Sequence, residues 1–183
     1  MKIANSARLI FKKITAADSE LLFQLDQDPE VMRYLTNGQP TSRTTINDVF
    51  LPRVNQYSNA EKGWGLWQVI TRNKHEFIGW IIVRPFNFFH EQQEFIRDDK
   101  TIELGWRFKQ SSWGQGYATE AATTIMNELA KNRAHQHFCA TALAENTGSI
   151  NIMKKLGMHF VKNYIHHDKF GERQAVFYQR SAR

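Results

Sequence analysis

The sequence predicts an α/β protein built on a mixed sheet with helices on both faces. Three observations lead there. Segments of strand period alternate along the chain with segments of helical period, a glycine turn at Trp113-Gly114-Gln115-Gly116-Tyr117 opens directly onto one of the helical segments, and no repeat, low-complexity tract or Pro/Gly/Ser linker separates them. At 183 residues and 42% hydrophobic, the chain suits one compact domain with a sizeable core, so a single domain over 1–183 is expected.

Arg8 to Ile14 has the apolar, β-rich character of a first strand, and Thr15 to Asp18 reads as a turn into a helix carrying Leu21, Leu22 and Leu25. Asp28-Pro29 closes or interrupts that helix. A second helical stretch from Thr44 to Tyr57 contains Pro52, which requires a kink or two short pieces. Trp64 to Thr71 and Glu76 to Arg84 form a hairpin around Arg72-Asn73-Lys74-His75, which makes His75 a turn residue. Phe86 to Lys100 mixes aromatics and charges without a period and reads as a long loop. Thr101 to Phe108 alternates, with Ile102, Leu104, Trp106 and Phe108 on one face and Glu103, Gly105 and Arg107 on the other. Beyond the glycine turn, Ala121, Ala122, Ile125, Met126 and Leu129 recur at helical spacing. Phe138 to Leu143 is a further strand. Asn146 is a suitable N-cap for a helix with Ile150, Met153 and Leu156 inward, and Gly157 suits the left-handed residue after its end. His159 to His166 and Arg173 to Tyr178 are the last strands, around Asp168-Lys169-Phe170-Gly171. The order is β-α-α-β-β-β-α-β-α-β-β.

Composition removes several classes. No run approaches the roughly 18 apolar residues of a membrane helix, and Met1 to Phe11, with Lys2 and Arg8, lacks the apolar stretch of a secretory signal, so a cytoplasmic protein is expected. Cys139 is the only cysteine. It excludes an internal disulfide and a thiolate-rich zinc site, and its apolar neighbours make it a buried structural thiol; no metal is expected. The formal charge of +6 favours an anionic partner, but Lys and Arg are scattered with no block of five, so nucleic acid is the weaker choice.

A helix N-terminus leaves amides unpaired and a partial positive charge, and glycines let a phosphate approach the backbone. Gly114, Gln115, Gly116 and Ala118 meet that need, although such a turn by itself can be only a turn. A P-loop is excluded because Tyr117 and Ala118, not Lys and Ser/Thr, follow Gly116. A dinucleotide fold lacks its acidic residue about twenty positions on.

Trp113-Gly114-Gln115-Gly116-Tyr117-Ala118-Thr119-Glu120-Ala121 resembles the pyrophosphate loop and helix of GNAT N-acetyltransferases, in the branch containing the ribosomal-protein N-terminal (alanine/serine) acetyltransferases. Further blocks are similar to that branch in the same order: Arg8-Leu9 followed by Asp18; Asp28 to Leu35; Phe77-Ile78-Gly79; Ile102 to Trp106; and Asn146 to Ser149 with Lys155 to Met158. The resemblance implies a GNAT fold with a predominantly antiparallel central sheet, and acetyl-CoA as cosubstrate. It implies a backbone-amide cradle for the pyrophosphate at Gly114, Gln115, Gly116, Tyr117, Ala118 and Thr119. It also implies main-chain contacts from Trp106, Arg107 and Phe108 along the pantetheine arm, and a hydrogen bond to that arm from Asn146. Trp106 and Phe108 can serve as core residues at the same time. Trp113 replaces the Gln or Arg usual in the wider family but is common in this branch.

Acetyl transfer to an amine needs a neutral amine, removal of a proton from the adduct and a proton for the leaving thiolate. An α-amine, with pKa about 7.7 to 8.0, is roughly a tenth neutral at pH 7, and a lysine near 10.4 almost never is. Glu103, the one carboxylate on the strand before the glycine turn, matches an acidic position common in this branch and is the candidate base through a water; the alternative is a satisfied or surface glutamate. Ser149 is the candidate acid, with a second capping role as its alternative. Many relatives carry a tyrosine seven residues after the asparagine, where this chain has Met153. His159, His166 and His167 are weaker acid-base candidates. The expected activity is transfer of the acetyl group to a primary amine, favouring a protein N-terminal α-amine, by direct attack in a ternary complex. A small amine such as a polyamine, amino sugar or antibiotic is the alternative acceptor, with Phe86 to Lys100 shaping its pocket. A catalytically silent acyl-CoA-binding module is the reading from another class. The sequence does not separate a monomer from a homodimer.

Overall fold

The computed structural model describes residues 1–89, 95–131 and 135–182. Strands β1 (Leu9–Lys13), β2 (Gly65–Thr71), β3 (Phe77–Phe86), β4 (Asp98–Phe108), β5 (His137–Leu143), β6 (His159–Asp168) and β7 (Gly171–Ser181) form one sheet in the order β1-β2-β3-β4-β5-β7-β6. Every neighbouring pair is antiparallel except β4 and β5, which run parallel. The mixed, mostly antiparallel sheet is the one expected.

Helices cover both faces. On one, Ile81, Val83, Ile102 and Leu104 pack against Ile125 and Leu129 of α5 (Tyr117–Leu129) and Met153 of α6 (Thr147–Lys155). On the other, Leu66 and Trp80 meet Leu22 and Leu25 of α1 (Ser19–Leu25), Val31 of α2 (Pro29–Thr36) and Val54 of α4 (Leu51–Tyr57). A third cluster holds Cys139, Leu143 and Phe177 with Phe86 and Tyr164. Cys139 is fully buried as expected, and burial pushes its thiol well above the ordinary range.

Four details differ from the sequence reading or sharpen it. Asp28-Pro29 opens α2 as a separate helix: the Asp28 carboxylate accepts from the Glu30 amide at 2.9 Å, and Pro29 is at the first helical position, where its missing N–H removes nothing. Around Pro52 the stretch is divided into pieces of different winding, joined without a break in the chain of turns. α3 (Arg43–Thr45) continues through a π turn over Ile46–Phe50 into α4, and the Leu51 amide donates to the Ile46 carbonyl. The wider turn stands where Pro52 has no N–H for the carbonyl four residues back and would press its ring on it. Phe86 to Lys100 is only partly loop. Phe86 ends β3 and pairs with Asp98 of β4, while Phe88 and Phe89 lean on the second cluster and Phe95 on the third; residues 90–94 lie outside the described residues. Finally, β6 and β7 extend to a two-residue turn at Lys169-Phe170, with Asp168 paired to Gly171.

The feature that positions the site is the short β4–β5 ladder. Only Thr101, Ile102 and Glu103 pair, with His137, Phe138 and Cys139. Beyond them β4 follows β3 as far as Phe108 and β5 follows β7 as far as Leu143, so the two strands diverge and open a gap in the sheet. Among the described residues no helix is long and apolar enough to cross a membrane, and no group of three or more His, Cys, Asp or Glu could hold a metal.

Candidate active site

The gap opens into a cavity of about 680 Å³. One end is the glycine turn. Gly114 and Gly116 adopt φ of 73° and 78°, the left-handed region that favours glycine, and a Cβ on Gly114 would meet nothing within 4 Å. Backbone conformation, with open space in front of it, sets the residue type here. Gly116 is the N-cap of α5 and no side chain caps it, so the first amides of the helix remain without intrahelical partners. Gly114, Gly116, Tyr117, Ala118 and Thr119 all line the cavity. Gln115 does not: its side chain turns back to donate to the Ser111 carbonyl at 2.8 Å.

The two sides of the gap come from β4 and α6. Trp106, Arg107 and Phe108 line it from β4, where this strand has lost its β5 partner, and Asn146 and Ser149 line it from the start of α6. Asn146 is the predicted cap, its Oδ1 accepting from the Ser149 amide at 3.0 Å. The Ser149 hydroxyl accepts from Trp106 Nε1 at 3.2 Å, a bond that spans the gap, and retains its own proton to donate. Phe108 is buried in the main core and Trp106 packs half-buried against it. Arg107 forms an ion pair with Asp26 and lies over the Trp80 ring at 4.9 Å. Its side chain is thereby committed to packing. Met153, in the place of the family tyrosine, is fully buried in the core.

Glu103 sits at the last paired position of the β4–β5 ladder, where the gap begins. It is buried, and Arg84 Nε donates to its Oε2 at 2.8 Å. It lines a separate cavity of about 90 Å³ together with Arg84, Phe86 and Asn87. Thr141 and His166 line both cavities and form the wall between them.

The far end of the large cavity is built by residues that the sequence did not single out: Tyr34 from α2, Trp80 from β3, Tyr164 and Asp168 from β6, and Arg173 from β7. Tyr164, His166 and Asp168 alternate along β6, so a period-2 reading of that strand was the available signal. His166 Nε2 lies 3.3 Å from Asp168 Oδ2. Burial alone would raise the Asp168 carboxyl, but the Phe170 amide at 2.7 Å and the Arg173 guanidinium outweigh it and hold the group below the usual carboxylate range. Of the three candidate histidines only His166 lines the cavity. His159 is exposed and His167 faces Glu172 at 3.5 Å.

Residues 8–159 match the family described as the acetyltransferase (GNAT) domain. The uncharacterized N-acetyltransferase YnaD of Bacillus subtilis (strain 168) is 30% identical over 151 residues, which cover 82% of this chain and 79% of that protein. Two solved structures share the fold at low identity. RimL, a ribosomal L7/L12 alpha-N-protein acetyltransferase in complex with coenzyme A, has a TM-score of 0.75 at 15% identity and covers 98% of this chain and 97% of its own. The aminoglycoside acetyltransferase AAC(6')-Ib in complex with coenzyme A has a TM-score of 0.76 at 14% identity and covers 94% of each chain. Since the family match runs from the start of β1 to the start of β6, the chain belongs to the GNAT acetyltransferases and is an acetyl-CoA-dependent N-acetyltransferase.

Proposed function

We propose that the chain acetylates the α-amine at a protein N-terminus, by direct attack of the amine on the acetyl-CoA thioester in a ternary complex. The observation that carries this reading is the continuous cavity from the glycine turn, through the β4–β5 gap, to the residues of α2, β6 and β7. Cosubstrate and acceptor enter it from opposite ends and meet in the sheet. The amides at the start of α5 take the pyrophosphate, the β4 backbone between Trp106 and Phe108 on the side without a β5 partner and the Asn146 side chain hold the pantetheine arm, and Ser149 donates its proton to the departing thiolate.

Glu103 receives the amine proton through water in the smaller cavity. Its carboxylate is already engaged by Arg84 and stands apart from the larger one, an arrangement that suits an acceptor needing little help with its proton. An α-amine is such an acceptor and a lysine is not. The solved structure of RimL, named as an α-N-protein acetyltransferase, supports the same choice by analogy. A small amine is the second reading, since the fold also serves an aminoglycoside acetyltransferase. The Phe86 to Lys100 segment expected to shape such a pocket contributes no described residue to the wall of the large cavity.

The test is thiol release from acetyl-CoA with three acceptor sets: peptides with a free α-amine, the same peptides blocked at the N-terminus but carrying an internal lysine, and a panel of polyamines and amino sugars. The first set should react fastest. Faster turnover of a polyamine or amino sugar would transfer the assignment to a small-molecule acceptor.

A further inference from the structure

Resting on the placement of the pyrophosphate at the glycine turn, we propose that Arg8 is a positioning residue of the coenzyme site: it neutralises Glu120 and anchors the turn, so that the start of α5 meets the anion with net positive charge.

A helix N-terminus carries about half a positive charge, and a carboxylate in its first turn opposes an incoming anion as much as it steadies the helix. Glu120 is such a carboxylate. Burial pushes it up, but three donors outweigh burial and keep it below the usual range: the Ser6 hydroxyl at 2.7 Å, the Arg8 amide at 2.9 Å and Arg8 Nε at 2.6 Å. It is therefore ionised beside the site proposed for a pyrophosphate. The same guanidinium reaches the turn. Its Nη1 donates to the Gln115 carbonyl at 3.0 Å, its face lies 4.4 Å above the Tyr117 ring, and Nη2 stands 3.6 Å from where a Cβ on Gly116 would be. Arg8, at the head of β1, thus engages Gln115, Gly116, Tyr117 and Glu120 at once.

Two consequences follow for the anion. Fixing the Gln115 carbonyl on Arg8 gives that oxygen a partner, so it does not oppose the phosphate oxygens. Pairing Glu120 cancels the one carboxylate in the first turn and leaves the amides and the helix dipole to act. The Arg8 side chain is 47% exposed, and an ion pair so open to water adds little to stability. Its main effect falls on the charge at the turn.

The experiment is calorimetric titration of coenzyme A into the wild type, R8Q, E120Q, the R8Q/E120Q double variant and G116D, with thermal unfolding run in parallel. R8Q should raise Kd about tenfold, because the Glu120 carboxylate keeps its Ser6 and backbone donors but loses its counter-charge beside the pyrophosphate. E120Q should bind as tightly as the wild type or more tightly, and the double variant should return to within about threefold of it. R8K keeps the charge and should lie between wild type and R8Q. A purely structural role predicts the reverse pattern: E120Q weakened, and no recovery in the double variant. R8Q binding like the wild type, or the double variant as weak as R8Q, overturns the proposal. Failure of the wild type to bind, or G116D binding like the wild type, rejects the placement of the pyrophosphate itself.

Discussion

Ser149 lines the β4–β5 gap while Glu103 sits where the gap begins and lines the smaller cavity, and different partners hold them, which separates what each can contribute. Ser149 accepts from Trp106 and caps nothing with its hydroxyl, so its proton is available to a thiolate. S149A should lower kcat about tenfold while KM for acetyl-CoA barely moves, since a thiol of pKa about 8.5 is already a tolerable leaving group. Steady-state kinetics decide this, and equal kcat values would leave the hydroxyl only as the acceptor of the Trp106 bond. E103Q should slow acetylation of an α-amine about ten- to a hundredfold at pH 7, with much of the loss recovered toward pH 9 as the amine deprotonates unaided. Superimposable pH profiles of kcat/KM for the two proteins would exclude Glu103 as the base. The residues proposed for the coenzyme end stood out in the sequence because such a turn leaves a local mark: two glycines, a helix start and an Asn cap in fixed succession. The proposed acceptor end leaves less. Tyr34, Trp80, Tyr164, Asp168 and Arg173 come from four elements, and beyond the alternation of Tyr164 and Asp168 on β6 no local pattern shows that they converge.

Elements were legible where one period ran long enough, and hidden where a single residue changed the rule. The alternation of β4 and the helical spacing of α5 held from sequence to structure. Asp28-Pro29 reads as a close or an interruption although Pro is as much at home at the first position of a helix, and the π turn before Pro52 has no periodic signature at all. The β6–β7 hairpin shows how a turn ties stability to pH. The Asp168 carboxyl lies below its unfolded value, so between the two values the unfolded chain binds more protons. The stability it contributes is full above the unfolded pKa of about 3.9 and is lost as pH falls through the folded one. D168N should therefore lower Tm at pH 7, and the difference from wild type should close as pH falls through the folded value. A gap that persists there would assign the loss to the Phe170 hydrogen bond alone. The β3–β4 ladder depends on Gly79 in a different way. Its φ is 156°, and a Cβ there would lie 2.3 Å from the Arg107 carbonyl oxygen and 2.8 Å from Phe108 Cα, both backbone atoms with little freedom to retreat. G79A should cost about 1–3 kcal/mol in urea unfolding and raise KM for acetyl-CoA, because it displaces the strand segment that borders the gap.

At the scale of the whole molecule, the sheet is two sub-sheets, β1 to β4 and β5 to β7, joined by three paired residues on each side and by the main core beneath. Strand identity was readable from period, but the point at which β4 leaves β5 was not, because alternation shows that a strand is covered and not where its partner ends. This point matters most for the proposed function, since the edges it exposes are where the cosubstrate would substitute for a missing strand. Coenzyme A lying between β4 on one side and the start of α6 on the other would tie the sub-sheets together, and it has no equivalent site in the unfolded chain. Mass action then sets the effect: at a hundred times Kd the folded state gains about 2.7 kcal/mol, which for a chain of this size is a rise in Tm of about 5 to 10 °C. The rise should grow with the logarithm of coenzyme concentration, and amide exchange at residues 104–108 should slow more than elsewhere in β4. Exchange protection confined to the glycine turn, with residues 104–108 unchanged, would mean that the coenzyme binds at the helix start without entering the gap, and that the sheet opening serves the acceptor alone.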